Sequence, residues 1–298
     1  MMDSIERLAV LTRQPQSPGT VRLNEAAEAA RVPLELVDPH ELYLHLEQSA
    51  DAPARVAHPR LGHDWRSTMV IPRLGSLSTE YALSALDALV RAGARSLNGP
   101  TGLWRLRYKF RALTELAAAG LPVPQTAMLR APTDVGPAVE QLGGYPVVIK
   151  FLRGSQGLGV ILAQDRATVE SVLEALNLVQ FDVMLQRYYP AGGESDLRVL
   201  ILGGEPRWAV RRYAPPGGFR ANYHRGGRAE AAELSPRLAE LARRAAACFE
   251  LGLAGVDFIE YDDRALIMEV NGSPGFQTIE DSHHVDVAEA IITCALQQ

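Results

Sequence analysis

Lysine is almost missing from this chain. Of its 30 basic residues only Lys109 and Lys150 are lysines, and the rest are arginines. Cysteine is equally scarce: Cys248 and Cys294 are the two present, and neither has a His or Cys at metal-ligand spacing. That argues against a disulfide scaffold and against a zinc site, and both cysteines read as reduced, packed thiols. Long apolar runs are absent too, nothing approaching the roughly 18 residues of a membrane-spanning helix. The opening MMDSIERLAVLT places acids ahead of a short apolar run that enters a strand, which is not the pattern of a signal peptide. A cytoplasmic protein without a membrane partner is the expectation. Positive charge is not in excess, because 35 Asp and Glu outweigh the 30 bases to leave a net −5. No global basic field therefore points to nucleic acid, and any anionic ligand must be met locally.

What is present is ordinary globular material. The 298 residues are 47% hydrophobic and 22% charged, with a mean hydropathy of −0.04, which excludes disordered and fibrous classes. At roughly 100 to 200 residues per domain the length suggests two or three packed lobes. The two lysines stand out against this background. Where a surface merely needs positive charge arginine serves as well, but a compact ammonium that meets phosphate oxygens as a point charge is not replaced by a planar fork. Lys109 and Lys150 are thus candidate phosphate ligands, unless two stragglers remain by chance.

Three stretches follow one another. Residues 1–100 alternate apolar strands (Leu8 to Leu11, Leu34 to Val37, Met69 to Ile71) with helical patterns (Val21 to Ala30, Tyr81 to Ala92), which predicts a βα lobe with a parallel sheet. Residues 101–188 open with one helix capped by Thr101 and running to about Ala119, with Lys109 on it. A small α+β lobe with an antiparallel sheet follows, its strands at Thr126 to Leu129, Val147 to Phe151, Val160 to Ala163 and Val183 to Tyr188, with helices at Asp134 to Leu142 and Arg166 to Leu176. Residues 189–298 carry strands Leu197 to Leu202 and Trp208 to Arg212, a helix from Pro236 to Leu251, a strand pair Gly255 to Tyr261 and Ala265 to Asn271, and a last helix from Val285 to Leu296.

Two segments bear chemistry. In PVVIKFLRGSQGLGV, Lys150 ends a buried strand and is followed by Gly154, Ser155, Gln156, Gly157 and Gly159, small residues that leave backbone N–H groups free to face an anion. A Walker A loop would need Gly before the lysine. In a protein kinase the glycine loop precedes the lysine, and a dinucleotide fingerprint would open a helix where GVILAQ continues as a strand. A plain hairpin with turn glycines is the bland alternative. In GVDFIEYDDRALIMEVNGSPGF, Glu269 and Asn271 are two apart on a strand and share a face, with Asp257 on the preceding strand of a hairpin. Two carboxylates and an amide suit Mg²⁺ completed by water and phosphate oxygens. Acids on a solvent-facing sheet are the alternative there.

His283 and His284 beside Asp281 lack a third ligand and read as a loop at a helix start. His224 lies in a glycine-flanked loop, and Arg211 with Arg212 ends a strand, where the pair could clamp a substrate carboxylate or stand as idle exposed charges.

The order of a lysine, a lysine with its Gly-rich loop, an Asp, then MEVNGSPG resembles the ATP-grasp carboxylate-amine ligases. VIPRLGS, VVIKFLRGSQGLGV, FRANYHRGG and AGVDFIEY together resemble the RimK-type, alpha-L-glutamate ligase branch over nearly the whole chain. The resemblance implies an ATP-grasp fold behind an N-terminal parallel βα (pre-ATP-grasp) domain. It also implies ATP held between two antiparallel sheets, Lys109 and Lys150 on its phosphates, and the Gly154 to Gly159 loop as a lid. Further, it implies Asp196 on the ribose, Arg220 and Asn222 near the phosphates, and Asp257, Glu269 and Asn271 holding two Mg²⁺, with Mn²⁺ as a substitute. One departure is visible: where the family has Gln-Glu-Tyr at the adenine hinge, this chain has Gln186-Arg187-Tyr188, which puts base selectivity in question while backbone contacts remain.

The reaction implied passes the γ-phosphate to a carboxylate and lets an amine displace it, with Arg211, Arg212, Arg220 and His224 as candidates beside the reacting groups. The resemblance names glutamate as the amine and a peptide or protein C-terminus as the carboxylate. Another amino acid, a small carboxylate acceptor or a carrier-protein glutamate is the rival within enzymes, and a non-catalytic nucleotide-binding regulatory module is the rival outside them. The sequence is compatible with self-association into a homo-oligomer and implies no direct nucleic-acid partner.

Overall fold

The computed structural model describes residues 5–46, 54–62, 64–75, 79–130, 134–152, 159–177, 182–190, 195–215 and 228–298. Among them the chain builds three sheets of four or five strands and one two-stranded hairpin.

The N-terminal lobe runs β1 (Arg7–Leu11), α1 (Pro18–Ala29), β2 (Leu34–Val37), β3 (Tyr43–Leu46), β4 (Ala54–Ala57), β5 (Thr68–Pro72), α2 (Glu80–Arg91) and β6 (Arg95–Ser96). Its sheet has the order β2-β1-β5-β6 and is parallel throughout. All five residues of β5 are buried, as expected of a parallel strand covered on both faces. Residues of α2 pack on one face, while α1 lies with the C-terminal helix on the other, joining Leu23, Ala26 and Ala27 to Ile291, Ile292 and Ala295. The β3–β4 hairpin and the two-residue β6 carry too little periodicity to be read from sequence.

The stretch predicted as one helix from Thr101 to Ala119 is two helices, α3 (Pro100–Leu106) and α4 (Lys109–Ala118). Pro100, with its preset φ, opens α3 behind Gly99, so Thr101 lies inside the first turn and is not the cap. Tyr108 is extended, at φ −110° and ψ 107°, and breaks the run. Lys109 is therefore the first residue of α4, whose body packs against the strand that carries Glu269 and Asn271.

The small lobe contains β7 (Thr126–Leu129), α5 (Gly136–Gln141), β8 (Val147–Phe151), β9 (Val160–Ala163), α6 (Arg166–Asn177) and β10 (Val183–Arg187). It is antiparallel in the order β7-β10-β8-β9 and has a core of its own around Val139, Ile149, Val169 and Leu185. The C-terminal lobe adds β11 (Ser195–Leu202), β12 (Glu205–Tyr213), β13 (Arg228–Ala232), α7 (Pro236–Ala247), β14 (Leu253–Tyr261), β15 (Arg264–Asn271), α8 (Gln277–His283) and α9 (Val287–Gln297), with an antiparallel sheet β13-β12-β11-β14-β15. The β14–β15 hairpin turns on Asp262 and Asp263, both at positive φ, the backbone a tight two-residue hairpin requires. The expected last helix begins two residues later than read, at Val287, and α8 precedes it: His284 caps α8 in the left-handed conformation, and Asp286 accepts from Glu289 N to start α9. His283 sits against the Ala209 carbonyl.

Asn98, fully buried, ties the first lobe to the last. Its Nδ2 donates to the carbonyls of Leu253 and Gly272 at 2.8 and 2.7 Å, and its Oδ1 accepts from Leu253 N at 2.8 Å. Replacing Asn98 by Ala strands these backbone groups away from water, at about 1 to 3 kcal/mol for each group left unsatisfied. Asn98→Ala is expected to lower unfolding stability by roughly 2 to 4 kcal/mol, read from denaturant titration; a loss below about 0.5 kcal/mol would show the lobes are held together elsewhere.

Candidate active site

One face of the C-terminal sheet carries a row of charges that cross-strand register brings together. Asp196 and Arg198 are two apart on β11 and so share a face. Asp196 pairs across to Arg212 on β12, and Arg198 pairs across to Asp257 on β14, which in turn lies opposite Glu269 on β15. The register makes the ion pairs: Arg198 grips Asp257 with two bonds of 2.6 and 2.7 Å, Arg212 grips Asp196 in the same way, and Arg212 also reaches Asp257 at 3.1 Å. Burial pushes the Asp257 carboxyl up, but Arg198 and Arg212 overcome that and hold it at about 2. The same two carboxylates, against the cost of burial, raise the Arg212 pKa above its ordinary value. Further along, the face turns apolar at Leu200 and Leu202 and packs with residues of α8 and α9.

Just past Asp257 the β14–β15 register slips, so that Phe258 pairs with Ile267 and Met268 is the extra residue. A bulge of this kind re-aims the neighbouring side chain, here Glu269, whose Oε2 lies 3.2 Å from Lys109 Nζ. Two residues on, Asn271 Oδ1 accepts from Ser273 N at 3.0 Å.

Lys150 approaches from the small lobe. On β8 it lies between Met184 of β10 and Val160 of β9, and its Nζ donates to Gln186 Oε1 at 2.6 Å. Gln186, wholly buried, is fixed in turn by Thr126 Oγ1 at 3.0 Å. Burial, reinforced by the nearby Lys109, brings the Lys150 ammonium down to about 8. Arg187 faces the other way from Gln186. Its amide donates to Gln125 O, its guanidinium to Gln125 Oε1, and it stacks 5.4 and 5.9 Å from the ring centres of Tyr189 and Tyr261. The charge that departs from the family pattern at the hinge is thus taken up by two aromatic rings.

Residues 106–295 match the RimK-like ATP-grasp domain family, and residues 7–103 match the RimK PreATP-grasp domain. The chain is 37% identical over 286 residues to "Probable alpha-L-glutamate ligase 2" of Shewanella frigidimarina, covering 96% of this chain and 95% of that protein.

The chain belongs to the RimK-like ATP-grasp family.

Solved structures agree on the fold. A RimK domain ATP-grasp protein from Sphaerobacter thermophilus superposes with a TM-score of 0.73 at 23% identity, covering 97% of this chain and 98% of that one. The ATP-grasp ligase PsnB, complexed with a phosphomimetic variant of its minimal precursor, Mg and ADP, superposes with a TM-score of 0.74 at 20% identity, covering 99% of this chain and all of the other. This RimK-like chain is an ATP-dependent carboxylate-amine ligase. Among its described residues no helix is long and apolar enough to cross a membrane.

The donor set fits a hard divalent cation. Asp257 and Glu269 lie opposite one another, Asn271 follows on Glu269's strand, and all donate oxygen. In this structure the carboxylates meet positive groups, Arg198 and Arg212 on one and Lys109 on the other. Sequence reasoning missed Arg198, although its place two residues after Asp196 on a strand is the signal that would have found it. Arg211 and Arg212 do not form a joint clamp on an exposed strand end. As neighbours on β12 they point to opposite faces, so Arg212 is buried in the charge row while Arg211 pairs with Ser195 and Glu260. Gly159, at φ 73°, donates no Cβ to the Phe151 ring it packs on. Gly154, Ser155, Gln156, Gly157, Arg220, Asn222 and His224 lie outside the described residues.

Proposed function

We propose that this ligase joins an amino acid, glutamate first, through its amine to a carboxylate of a peptide or small acceptor by way of an acyl phosphate, converting ATP to ADP and phosphate. The observation that carries the reading is the meeting of two opposite charge sets. Lys109 and Lys150 form an ammonium pair suited to phosphates, and Lys109 also touches the carboxylate end of the Asp257, Glu269 and Asn271 set. A substrate that is anionic at its phosphates and brings a divalent cation satisfies both at once. When bound, Mg²⁺ would be held by Asp257, Glu269 and Asn271 and would neutralise charge on the transferring phosphoryl group.

The chain's own residues do the positioning. Gln186 holds the Lys150 ammonium at the inner wall of the small lobe, and Arg198 with Arg212 fixes the rotamer of Asp257 and keeps it ionised. Ligation then needs no covalent enzyme residue, because bound charges in fixed places stabilise both the phosphoryl transfer and the oxyanion that follows. Asp196, bound to Arg212, closes the row on the β12 side. The relatives named alpha-L-glutamate ligase favour glutamate as the amine, and neighbours solved with a precursor peptide, such as PsnB, favour a peptide as the acceptor. The test is a phosphate-release screen with Mg-ATP, single amino acids and peptides ending in glutamate. ADP and phosphate are expected only when amine and acceptor are both present, with the acceptor heavier by one glutamate residue; AMP and pyrophosphate would overturn the mechanism, and another amino acid would overturn the substrate alone.

A further inference from the structure

Arg73 is a cation that meets no carboxylate among the described residues. It follows β5, at the carboxyl end of the parallel sheet, and its amide donates to Leu11 O at the end of β1. Crevices outside the carboxyl ends of such strands are where α/β sheets take ligands. The guanidinium leans across to the C-terminal lobe, where Nη1 donates to Pro274 O at 2.7 Å and Cζ lies 5.7 Å from the centre of the buried Phe276 ring. Its Nε is buried with no hydrogen-bond partner, and no acid among the described residues forms an ion pair with it. Burial alone lowers its pKa to about 10, with no opposing carboxylate. Among the described residues Arg198, Arg212 and Lys109 are built differently, each with an acid in place. The surroundings have also been cut back to make room, since a Cβ on Gly19 of α1 would stand 3.0 Å from Arg73 Nη2 and 3.4 Å from the Phe276 ring.

A guanidinium clamped by one carbonyl and one ring, with a buried donor left over, is set to receive an anion. Its anchor, Pro274, is three residues from Asn271, so chain connectivity limits the two to about 10 Å apart. That span suits a substrate whose reacting end lies at the charge row and whose second charged group lies elsewhere. The carboxylate that is phosphorylated must sit at the phosphates, so the group at Arg73 is one that does not react.

We propose that Arg73 binds the non-reacting carboxylate of the amino acid that supplies the amine, and so selects that substrate. This rests on the ligase reading above. The test is calorimetric titration of the full chain, loaded with Mg²⁺ and a non-hydrolysable ATP analogue, with L-glutamate, isoglutamine and glutamine. Wild type is expected to prefer glutamate over whichever amide replaces the carboxylate read by Arg73. Arg73→Met is expected to lose about 10- to 100-fold in glutamate affinity, to bind that amide as well as the acid, and to keep nucleotide affinity within about twofold. Arg73→Lys, which keeps the charge, is expected to restore part of the loss; no restoration would assign the effect to the broken Pro274 contact and overturn the proposal. Unchanged glutamate affinity in Arg73→Met would do the same. A loss confined to a peptide acceptor would place the anion on the acceptor and overturn the proposal as stated. Should wild type bind nucleotide but none of the three amino acids, the ligase reading itself falls, and the inference with it.

Discussion

Glu269→Gln is expected to reduce Mg-dependent turnover by two to three orders of magnitude, the equivalent of about 3 to 4 kcal/mol of lost charge stabilisation, while the melting temperature moves little. The substitution keeps the size and polarity of the side chain and removes one negative charge from the cation-facing set. Glu269 is the right place for the experiment because its side chain is 38% exposed and its one ion pair among the described residues, to Lys109, is long at 3.2 Å. Asp257 would be the wrong place. Removing its charge leaves Arg198 and Arg212 buried beside an amide, and breaking a buried pair by deleting one partner costs about 3 to 5 kcal/mol in its own right, so lost activity could not be told from lost fold. Turnover with Mg-ATP, read beside a thermal melt, decides the matter. A Glu269→Gln enzyme of near wild-type activity would remove Glu269 from the metal set.

Lys150→Met is expected to weaken ATP binding by about 1.5 to 3 kcal/mol, the range for hydrogen bonds to charged groups, with the fold kept because methionine fills the space of the lysine stem. The wild-type lysine adds a proton signature. Its ammonium titrates at about 8 where buried beside Lys109, against an ordinary 10.5, and phosphates favour the charged form. Binding of ATP between pH 8 and 9 should therefore take up protons, and affinity should fall as pH rises through 8. Folding runs the other way: over the window from about 8 to 10.5 the unfolded chain holds the proton that the folded chain has lost, so this group's contribution to stability rises with pH. Calorimetry in buffers of different ionisation enthalpy measures the uptake. Binding that involves no proton in wild type, or the same uptake in Lys150→Met, would take Lys150 off the phosphates.

Much of this architecture could be read directly, and the reasons differ by element. The strands β8, β9 and β14 with β15 are legible because apolar runs of fixed length are bounded by glycines or by a paired aspartate turn. The site could be read in part because Glu269 and Asn271 obey the strand period and because lysine is so rare. What could not be read depends on partners far away in the chain. Asn98 sits in a short LNG stretch that looks like a turn, and its worth lies in contacts to residues 253 and 272. The break at Tyr108 leaves no glycine or proline mark, since the packing of α4 on β15 decides it. Arg211 and Arg212 are indistinguishable as neighbours in sequence, and only the pleat sends one into the charge row and the other to Glu260.

The charge row has one more consequence, for how a ligand is captured. Among the described residues, Lys109, Lys150, Arg198 and Arg212 face Asp196, Asp257 and Glu269, so the positive and negative groups cancel to within a single charge. Such an alternating array keeps only a single net charge, so its potential beyond a few ångströms is that of one charge, screened over the Debye length of about 8 to 10 Å in physiological salt. The row therefore steers anions in from solution far less than a uniformly basic groove does. It recognises the spatial pattern of a ligand's charge mainly after contact, which leaves the row's share of the encounter rate weakly dependent on ionic strength and puts selectivity into the dissociation rate.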